Sequence, residues 1–162
     1  MAEIEVRQIG ADGWQVMREV RLAALLDAPE AFSSSYQRES GFGQADWLGR
    51  ITRGANFLAY TNGGGSGPAG IVGGFVPSPG APELVSMWVA PEHRGAGVGR
   101  ALVGAVVRWA RAEGHDQLHL WVTEGNEPAR ILYDVCGFTP TGERKPLASC
   151  PELTEIGMRR SV

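Results

Sequence analysis

The chain has 162 residues, a length that suits a single domain over residues 1–162 with its own hydrophobic core. Apolar residues make up 43% of it, yet no apolar run reaches the roughly 18 residues that span a bilayer, and the acidic start lacks an apolar leader. With a net charge of −3 and no basic block, we expect a cytoplasmic protein whose main partner is neither a membrane nor nucleic acid.

The first half of the chain alternates strand and helix patterns. Apolar residues stand at every second position in some stretches and at helical spacing in others, with proline or glycine between them. A glycine-rich connection between two apolar runs favours a hairpin of antiparallel strands. The predicted elements are a strand over 4–9, a helix over 14–26, a loop or broken helix over 29–43, a helix over 44–53, and strands over 56–61 and 69–76 joined by residues 62–68.

The second half continues the alternation and ends in strands. Gly114 and Gly137 each follow an amphipathic run, where glycine commonly ends a helix. The predicted elements are a strand over 83–89, a helix from the glycine segment to about 113, a strand over 118–122, a helix over 127–136, and strands over 138–144 and about 154–160.

Three alternating glycines between a strand and a helix predict a site for an anion. The segment reads His93-Arg-Gly95-Ala-Gly97-Val-Gly99-Arg100. Glycine has no Cβ to hold a ligand away from the backbone, and a helix N-terminus offers unpaired N–H groups and the positive end of its dipole. We therefore expect a phosphate group to bind here.

Two common phosphate-binding motifs do not fit this segment. A dinucleotide-binding fingerprint needs a third glycine where Leu102 stands. A nucleotide-hydrolysing phosphate loop needs a lysine followed by serine or threonine, and neither is present. What remains is Arg94-x-x-Gly97-x-Gly99 after a strand.

These residues resemble the signature Gln/Arg-x-x-Gly-x-Gly/Ala of the GNAT superfamily of acetyl-coenzyme A dependent N-acetyltransferases. The likeness extends to 84–92, to the helix after the glycines, and to 126–133 with Gly137-Phe138. It implies an α/β (α+β) GNAT fold, with a mixed sheet of six to seven strands flanked by about four helices and splayed between its fourth and fifth strands. It also implies an acyltransferase, and the chain looks most like a bacterial subgroup of undefined acceptor.

The resemblance implies that acetyl-CoA is the cosubstrate and lies between the splayed strands. Its pyrophosphate would meet the N–H groups of the glycine segment, with Arg94 or Arg100 adding a cation. Its pantetheine arm would run along Met87 and Val89 and bond to Asn126, with the Met87 N–H aimed at the thioester oxygen. The expected cosubstrate-binding residues are Met87, Trp88, Val89, Arg94, Gly95, Ala96, Gly97, Val98, Gly99, Arg100, Asn126, Arg130 and Tyr133.

Two residues carry the expected proton transfers. Tyr133 shares a helix face with Asn126 and Arg130 by spacing, and the resemblance assigns its phenol to protonating the departing thiolate. The alternative is an ordinary core tyrosine. Glu83 stands where histone-acetylating members of the superfamily place a catalytic glutamate, and it would take the amine proton through a water. Glu124, or water alone, stays open as the base.

The expected acceptor is a primary amine of a small molecule, aminated antibiotics included, or of a protein. The resemblance places acceptor contacts on the first two helices and on the last hairpin, over 145–153. Aromatic side chains near a carboxylate such as Glu39 suit a cationic amine, whereas Trp88 and Trp121 either wall a pocket or fill the core. The expected acceptor-binding residues are Phe32, Tyr36, Trp47 and Trp121.

No metal site is expected. Cys136 and Cys150 are too few for a disulfide framework, and neither they nor the three histidines have the spacing of metal ligands. A coenzyme A binding module without turnover and a nucleotide binder stay open as other functions, and a homodimer stays open as the assembly.

Overall fold

The computed structural model describes residues 3–62, 67–78 and 80–162. The strands in these ranges are β1 (Ile4–Gln8), β2 (Gly54–Thr61), β3 (Gly70–Phe75), β4 (Glu83–Val89), β5 (Gln117–Thr123), β6 (Thr139–Leu147) and β7 (Cys150–Ser161). The helices are α1 (Trp14–Asp27), α2 (Tyr36–Glu39), α3 (Gln44–Arg53), α4 (Val98–Ala112) and α5 (Glu127–Val135). Residues 63–66 of the predicted connection over 62–68 lie outside the described residues. So do residues 1 and 2 of the predicted acidic start.

The seven strands form one mixed sheet in the order β1-β2-β3-β4-β5-β7-β6. Each pair of neighbours is antiparallel except β4 and β5, which are parallel. Parallel neighbours need a crossover connection, because the chain has to return to the same end of the sheet, and α4 makes this crossover. The predicted mixed sheet of six to seven strands is confirmed.

The parallel strands β4 and β5 separate soon after they start. They pair only at Glu83 with His119 and at Leu84 with Leu120. Beyond these two pairs the strands no longer share a ladder, and a wedge opens toward their carboxyl ends. The predicted splay between the fourth and fifth strands is confirmed.

β4 carries a bulge at the point where the wedge begins. The pairing with β3 shifts by one residue between Ile71 and Gly73, so that Ser86 and Met87 together stand opposite Val72. Ser86 adopts φ +61°, the one positive value at a non-glycine residue in the described part of the chain. A bulge of this kind redirects the backbone and takes a residue out of the ladder. Residues 86 and 87 are therefore set apart from the regular sheet beside the wedge.

Helices cover both faces of the sheet. Phe57 and Ala59 of β2 pack in the cluster that contains the buried side of α4, whereas Leu58 between them packs with residues of α1 and α3. Successive side chains of a strand point to opposite faces, so α4 lies on one face and α1 with α3 on the other. No helix in the ranges described is long and apolar enough to cross a membrane.

The carboxyl-terminal hairpin is longer than predicted. The sequence suggests a proline-containing loop over about 145–153, but β6 runs to Leu147 and β7 begins at Cys150. Pro146 is accommodated because β6 is an edge strand, where a missing N–H costs no ladder bond, and because the register is irregular there. The hairpin thus brings Lys145 and Glu155 opposite each other.

Candidate active site

The wedge between β4 and β5 leads into a cleft of about 670 Å³. Its wall comes from β4, from the glycine segment with the start of α4, and from the start of α5. Ten of the expected cosubstrate-binding residues line it together: Met87, Trp88, Val89, Arg94, Gly95, Gly97, Val98, Gly99, Arg100 and Asn126. Ala96, Arg130 and Tyr133 are not part of this lining.

The glycine segment is shaped as an open backbone turn before α4. Gly95 has φ +80° and Gly97 has φ +91°, a region that residues with a side chain rarely adopt. No atom lies within 4 Å of an ideal Cβ at Gly95. Gly97 caps α4, and the first N–H groups of the helix have no carbonyl partner within it. Gly95, Gly97 and the start of α4 therefore form a cradle that suits an anion.

Gly99 lines the cleft and also faces α5. A Cβ at this position would lie 2.9 Å from Cδ2 of Leu132 on α5. The missing side chain allows α4 and α5 to pack closely, and these two helices form opposite parts of the cleft wall. A side chain at this position would push against Leu132, and the contact of Gly99 with an anion stays a prediction.

Arg94 is tied to the protein, whereas Arg100 is not. The Arg94 Nε donates a hydrogen bond to the Val89 carbonyl at 2.9 Å, and its guanidinium pairs with Asp27 at 2.6 Å. Asp27 also accepts a hydrogen bond from the Trp88 indole at 2.9 Å, and the bonds from Trp88 and Arg94 hold the pKa of Asp27 below its usual value. Arg100 is exposed on the cleft wall and makes no ion pair within the described residues.

The start of α5 brings one member of the predicted face, Asn126, to the cleft. Asn126 caps the helix, with its Oδ1 accepting a hydrogen bond from the Ala129 N–H at 3.4 Å, and it lines the cleft. Ala129 and Leu132 line the cleft beside it. Arg130 is exposed and points about 100° away from Ala129 around the helix axis. Of the predicted face, Asn126 therefore meets the cleft, and Arg130 is not part of the lining.

Tyr133 lies in the hydrophobic core and directly follows Leu132, a residue of the cleft wall. Its side chain is 5% exposed, and its ring packs edge-on against Phe138 with centroids 5.9 Å apart. Burial raises the pKa of the phenol above its ordinary value of 10.0. The phenol therefore carries its proton throughout the neutral range.

Glu83 opens into a second cavity of about 380 Å³, between β4, β5 and the β6–β7 hairpin. Ala31 lines both this cavity and the cleft, so the two meet on one side of β4. We call it the Glu83 cavity, and its lining includes Phe32, Glu83, Trp121, Lys145 and Glu155.

Two carboxyl groups and one ammonium group share the Glu83 cavity. The Lys145 Nζ lies 3.5 Å from Glu155 Oε1 and 4.1 Å from the centre of the Trp121 ring. Burial raises the pKa of Glu83, although the charges of Lys145 and His119 act in the opposite direction. Burial also raises the pKa of Glu155 against the effect of Lys145. A carboxyl group whose pKa is raised toward neutrality is a stronger base than an ordinary one.

Glu124, the alternative base, is held in a surface ion pair. Its oxygens accept hydrogen bonds from Arg144 at 2.6 and 3.1 Å, and its side chain is half exposed. These hydrogen bonds lower the pKa of Glu124. Of the two carboxylates considered, Glu83 therefore has the properties of the better base.

Only part of the expected acceptor surface faces a cavity. Phe32 and Trp121 line the Glu83 cavity. Trp47 is 0% exposed and packs in the core of α1, α3 and the sheet, so it contributes to stability and does not form a pocket wall. Tyr36 starts α2 outside both cavities, and Glu39, also 0% exposed, is not available to a cationic amine.

Glu39 is instead the centre of a buried ion cluster beneath the bulge of β4. The Arg21 Nε and Nη2 donate to its two oxygens at 2.9 Å each, and Arg50 donates to it at 2.7 Å. Burial alone would raise the pKa of Glu39, but the hydrogen bonds from Arg21 and Arg50 outweigh it and lower the pKa to about 2. Arg21 Nη1 also donates to the Ser86 Oγ at 3.0 Å. The strained residue of β4 is thereby anchored to α1.

Lys145 lies in the predicted acceptor-binding range over 145–153, whereas Arg21 and Glu155 are not among the predicted site residues. Their signal is a charged residue inside an otherwise apolar pattern: Arg21 lies among the buried residues of α1, and Glu155 begins the buried run of β7. Among the residues described, no group of three or more His, Cys, Asp or Glu side chains is arranged to hold a metal ion.

The chain is similar to several known acetyltransferases in sequence or in structure. Mycothiol acetyltransferase of Thermobispora bispora is 46% identical over 57 residues, which are 35% of this chain and 19% of that protein, so the match spans about a fifth of the relative's length. A nourseothricin acetyltransferase structure is 32% identical, covers 67% of this chain and 65% of its own, and superposes with a TM-score of 0.60. The phosphinothricin acetyltransferase of Sinorhizobium meliloti, solved with acetyl-CoA, superposes with a TM-score of 0.78 at 19% identity over 98% of this chain and 88% of its own.

The S. meliloti likeness shows a shared fold, and the predicted GNAT fold is confirmed. The model of the acetyltransferase (GNAT) family matches residues 17–138, from α1 through the cradle to the end of α5. Since this match covers most of the 162 residues and all three walls of the cleft, the chain belongs to the acetyltransferase (GNAT) family.

Proposed function

We propose that this protein is an N-acetyltransferase that moves the acetyl group of acetyl-CoA to a primary amine by direct attack in a ternary complex. The observation that carries the proposal is the continuity of two sites along β4. A cleft with an anion cradle lies on one side of the bulge, and a cavity with a carboxyl group of raised pKa lies on the other. A donor with phosphate groups and an acceptor with an acidic proton would meet between them.

The cleft suits coenzyme A in chemistry and in size. The open turn at Gly95 and Gly97 and the free N–H groups of α4 would hold a pyrophosphate, and Arg100 would add a side-chain cation. Met87 and Val89 on β4 and Asn126 on α5 would hold an extended, amide-rich arm. Acetyl-CoA would supply an activated acetyl thioester, and every proton transfer would fall to residues of this chain.

Glu83 would act as the general base. A primary amine near pKa 10 is protonated at neutral pH and has no lone pair with which to attack. The half-buried Glu83 carboxylate, directly or through a water, would remove that proton. Met87, beside the bulge, would donate its N–H to the carbonyl oxygen of the thioester, where negative charge develops.

Tyr133 would act as the general acid. The sulfur leaves as a thiolate, and the phenol next to the cleft carries a proton at any working pH. Tyr133 is buried and is not part of the cleft lining. To protonate the thiolate, its phenol would have to move from the core toward the cleft. This burial also favours the second candidate function, a coenzyme A binding module without turnover.

Thiol release from acetyl-CoA with a panel of primary amines tests the proposal. We expect amine-dependent turnover in the wild-type protein and a loss of about a hundredfold or more in kcat for Tyr133→Phe. Tyr60→Phe is the matched control, since Tyr60 lies on β2 outside the cleft. Coenzyme A binding without turnover across the panel would favour the module, and full activity in Tyr133→Phe would overturn the role of that residue.

A further inference from the structure

A third cavity, of about 530 Å³, lies beside the Glu83 cavity between α3 and the strands β3 and β4. The lining that it shares with the Glu83 cavity consists of Arg21, Phe75, Val85 and Ser86, so the two cavities are continuous. Three basic side chains reach it, Arg21 from α1 and Arg50 and Arg53 from the end of α3. We call it the arginine cavity after these three residues.

The arginine cavity carries an excess of positive charge. The described residues that line it include no acidic side chain. Glu39 lies behind the wall, fully buried, and accepts hydrogen bonds from Arg21 and Arg50. One carboxylate thus faces two guanidinium groups, and Arg53 makes no ion pair within the described residues. Two of the three positive charges therefore have no counter-charge in this part of the molecule.

Arg21 has hydrogen-bonding capacity that the fold leaves unused. Its side chain is 8% exposed, and a guanidinium has five N–H groups. Three of them donate, two to Glu39 and one to Ser86, and the other two have no acceptor among the described residues. Ser86 accepts from Arg21 and keeps its own O–H to donate. Buried donors without acceptors are costly, so this wall favours a ligand that brings acceptors and negative charge.

We propose that the acceptor is a small molecule that carries an anionic group, a carboxylate or a phosphate, in addition to its amine. The arginine cavity binds the anionic group, and the Glu83 cavity receives the amine. This inference rests on the proposed acetyl transfer and adds the class of acceptor. Guanidinium groups bind both anions through paired hydrogen bonds, and the volumes of the two cavities lie in the range of small-molecule sites, roughly 300–1,000 Å³.

Other classes of amine fit this pair of cavities less well. A polycationic acceptor would place a second ammonium group against the excess positive charge of the three arginines, which have one carboxylate, Glu39, among them. A simple alkylamine would leave the spare donors of Arg21 unpaired. The strained φ of Ser86 is consistent with the same purpose, because it brings a hydroxyl to Arg21 at the junction of the two cavities.

Matched pairs of acceptors test the inference. We would compare β-alanine with β-alaninamide, phosphoethanolamine with ethanolamine, and homologues of each with a longer methylene chain. In each pair we call the compound with the carboxylate or phosphate the charged member and the compound without it the neutral member. The charged member is expected to have a kcat/KM at least about tenfold higher, since hydrogen bonds to charged groups contribute that much or more. The carboxylate pairs and the phosphate pairs show which anion is preferred. Added salt should reduce the preference.

Arg53→Gln should remove most of this preference. The side chain is exposed and unpaired among the described residues, so the variant is expected to fold, and kcat/KM for the acceptors that carry the anionic group should fall toward the value for those that lack it. Arg111→Gln, with the same change of charge on α4 and outside both cavities, is the control and should retain the preference. Calorimetric titration of wild-type protein with the charged compounds alone, without acetyl-CoA, gives an independent reading of the same site.

The outcomes separate this inference from the acetyl transfer itself. If neither member of any pair is acetylated but the charged compounds bind and Arg53→Gln weakens them, the anion site holds and the proposed function fails. If neutral and charged members are acetylated equally, or if Arg53→Gln and Arg111→Gln behave alike, the anion site is overturned and the proposed function holds.

Discussion

Glu83 is half-buried in the wall of the Glu83 cavity, and its protonation should control the rate. Its pKa is raised by burial, so the base becomes protonated, and activity falls, as the pH drops through a value above that of an ordinary glutamate. Glu83→Gln should lower kcat/KM by about 10²- to 10⁴-fold and remove that acidic limb. The measurement is the pH profile of kcat/KM for both proteins.

Glu124→Gln is the control for this profile. Glu124 is bound to Arg144 and its pKa is lowered, so its loss should leave the acidic limb in place. An unchanged limb in Glu83→Gln together with a lost limb in Glu124→Gln would exchange the roles of the two residues.

Two glycines at the start and in the middle of α4 should respond to alanine in opposite directions. Gly97 has φ +91°, where a Cβ costs about 1–2 kcal/mol, so Gly97→Ala should destabilise the fold. Gly104 lies within the helix, where its Cβ would only displace the flexible end of Arg108, and Gly104→Ala should gain about 0.5–1 kcal/mol. Urea unfolding of both variants measures the difference. A shift in the same direction for both would contradict this account of the cradle.

At single residues, the local backbone conformation can be predicted from the sequence, and tertiary packing cannot. Gly95 and Gly97 could be read from the pattern because a positive φ selects glycine locally. The contact of Gly99 with Leu132 and the burial of Tyr133 could not, because they depend on how α4 and α5 pack against their neighbours. Helical spacing places Asn126, Arg130 and Tyr133 on one face, but it does not show that only Asn126 of the three lines the cleft.

At the scale of elements, the ion cluster of Glu39 joins α1, α2 and α3 to the bulge of β4. Glu39→Gln would leave Arg21 buried with half of its partners, and removing one member of a buried pair costs about 3–5 kcal/mol. We expect a fall of this size in the free energy of unfolding at neutral pH, measured in urea. Glu5→Gln, which breaks an exposed pair with Arg7, should leave the midpoint unchanged.

The same cluster predicts how stability depends on pH. The pKa of Glu39 is lowered in the folded protein to about 2 from a usual value of 4.5, so its contribution is present above pH 4.5 and is lost as the pH falls toward 2. Between these values wild-type stability should decline more steeply than that of Glu39→Gln. Parallel curves for the two proteins would show that Glu39 does not carry this dependence.

The bounds of most elements follow from local patterns, and the long-range contacts do not. The predicted helix over 44–53 and strand over 83–89 match α3 and β4, because apolar periodicity and flanking glycine or proline determine them locally. The extension of the last hairpin depends on pairing between β6 and β7, which tolerates Pro146 at the sheet edge. The single turn of α2 depends on a side-chain cap from Ser35, too short a signal to recognise in sequence.

At the scale of the whole molecule, coenzyme A should stabilise the fold through the two sides of the cleft. A ligand present at 100 times its Kd adds about 2.7 kcal/mol, which raises the Tm of a protein of this size by several degrees. ATP and NAD should give much smaller shifts at the same concentration, because the cleft continues along β4 toward an extended arm that they lack. Thermal melts with the three ligands test this, and equal shifts would favour a general nucleotide binder.

The wedge also divides the sheet in the order of the chain. β1 to β4, from residues 4–89, form one half-sheet, and β5 to β7, from residues 117–161, form the other. Only two residue pairs, both between β4 and β5, join the two half-sheets directly. The cradle of Gly95, Gly97 and the start of α4 lies in the connection between them. An anion bound there would link the two half-sheets. The distance between reacting groups on either side of the wedge would then depend on how tightly that anion is bound.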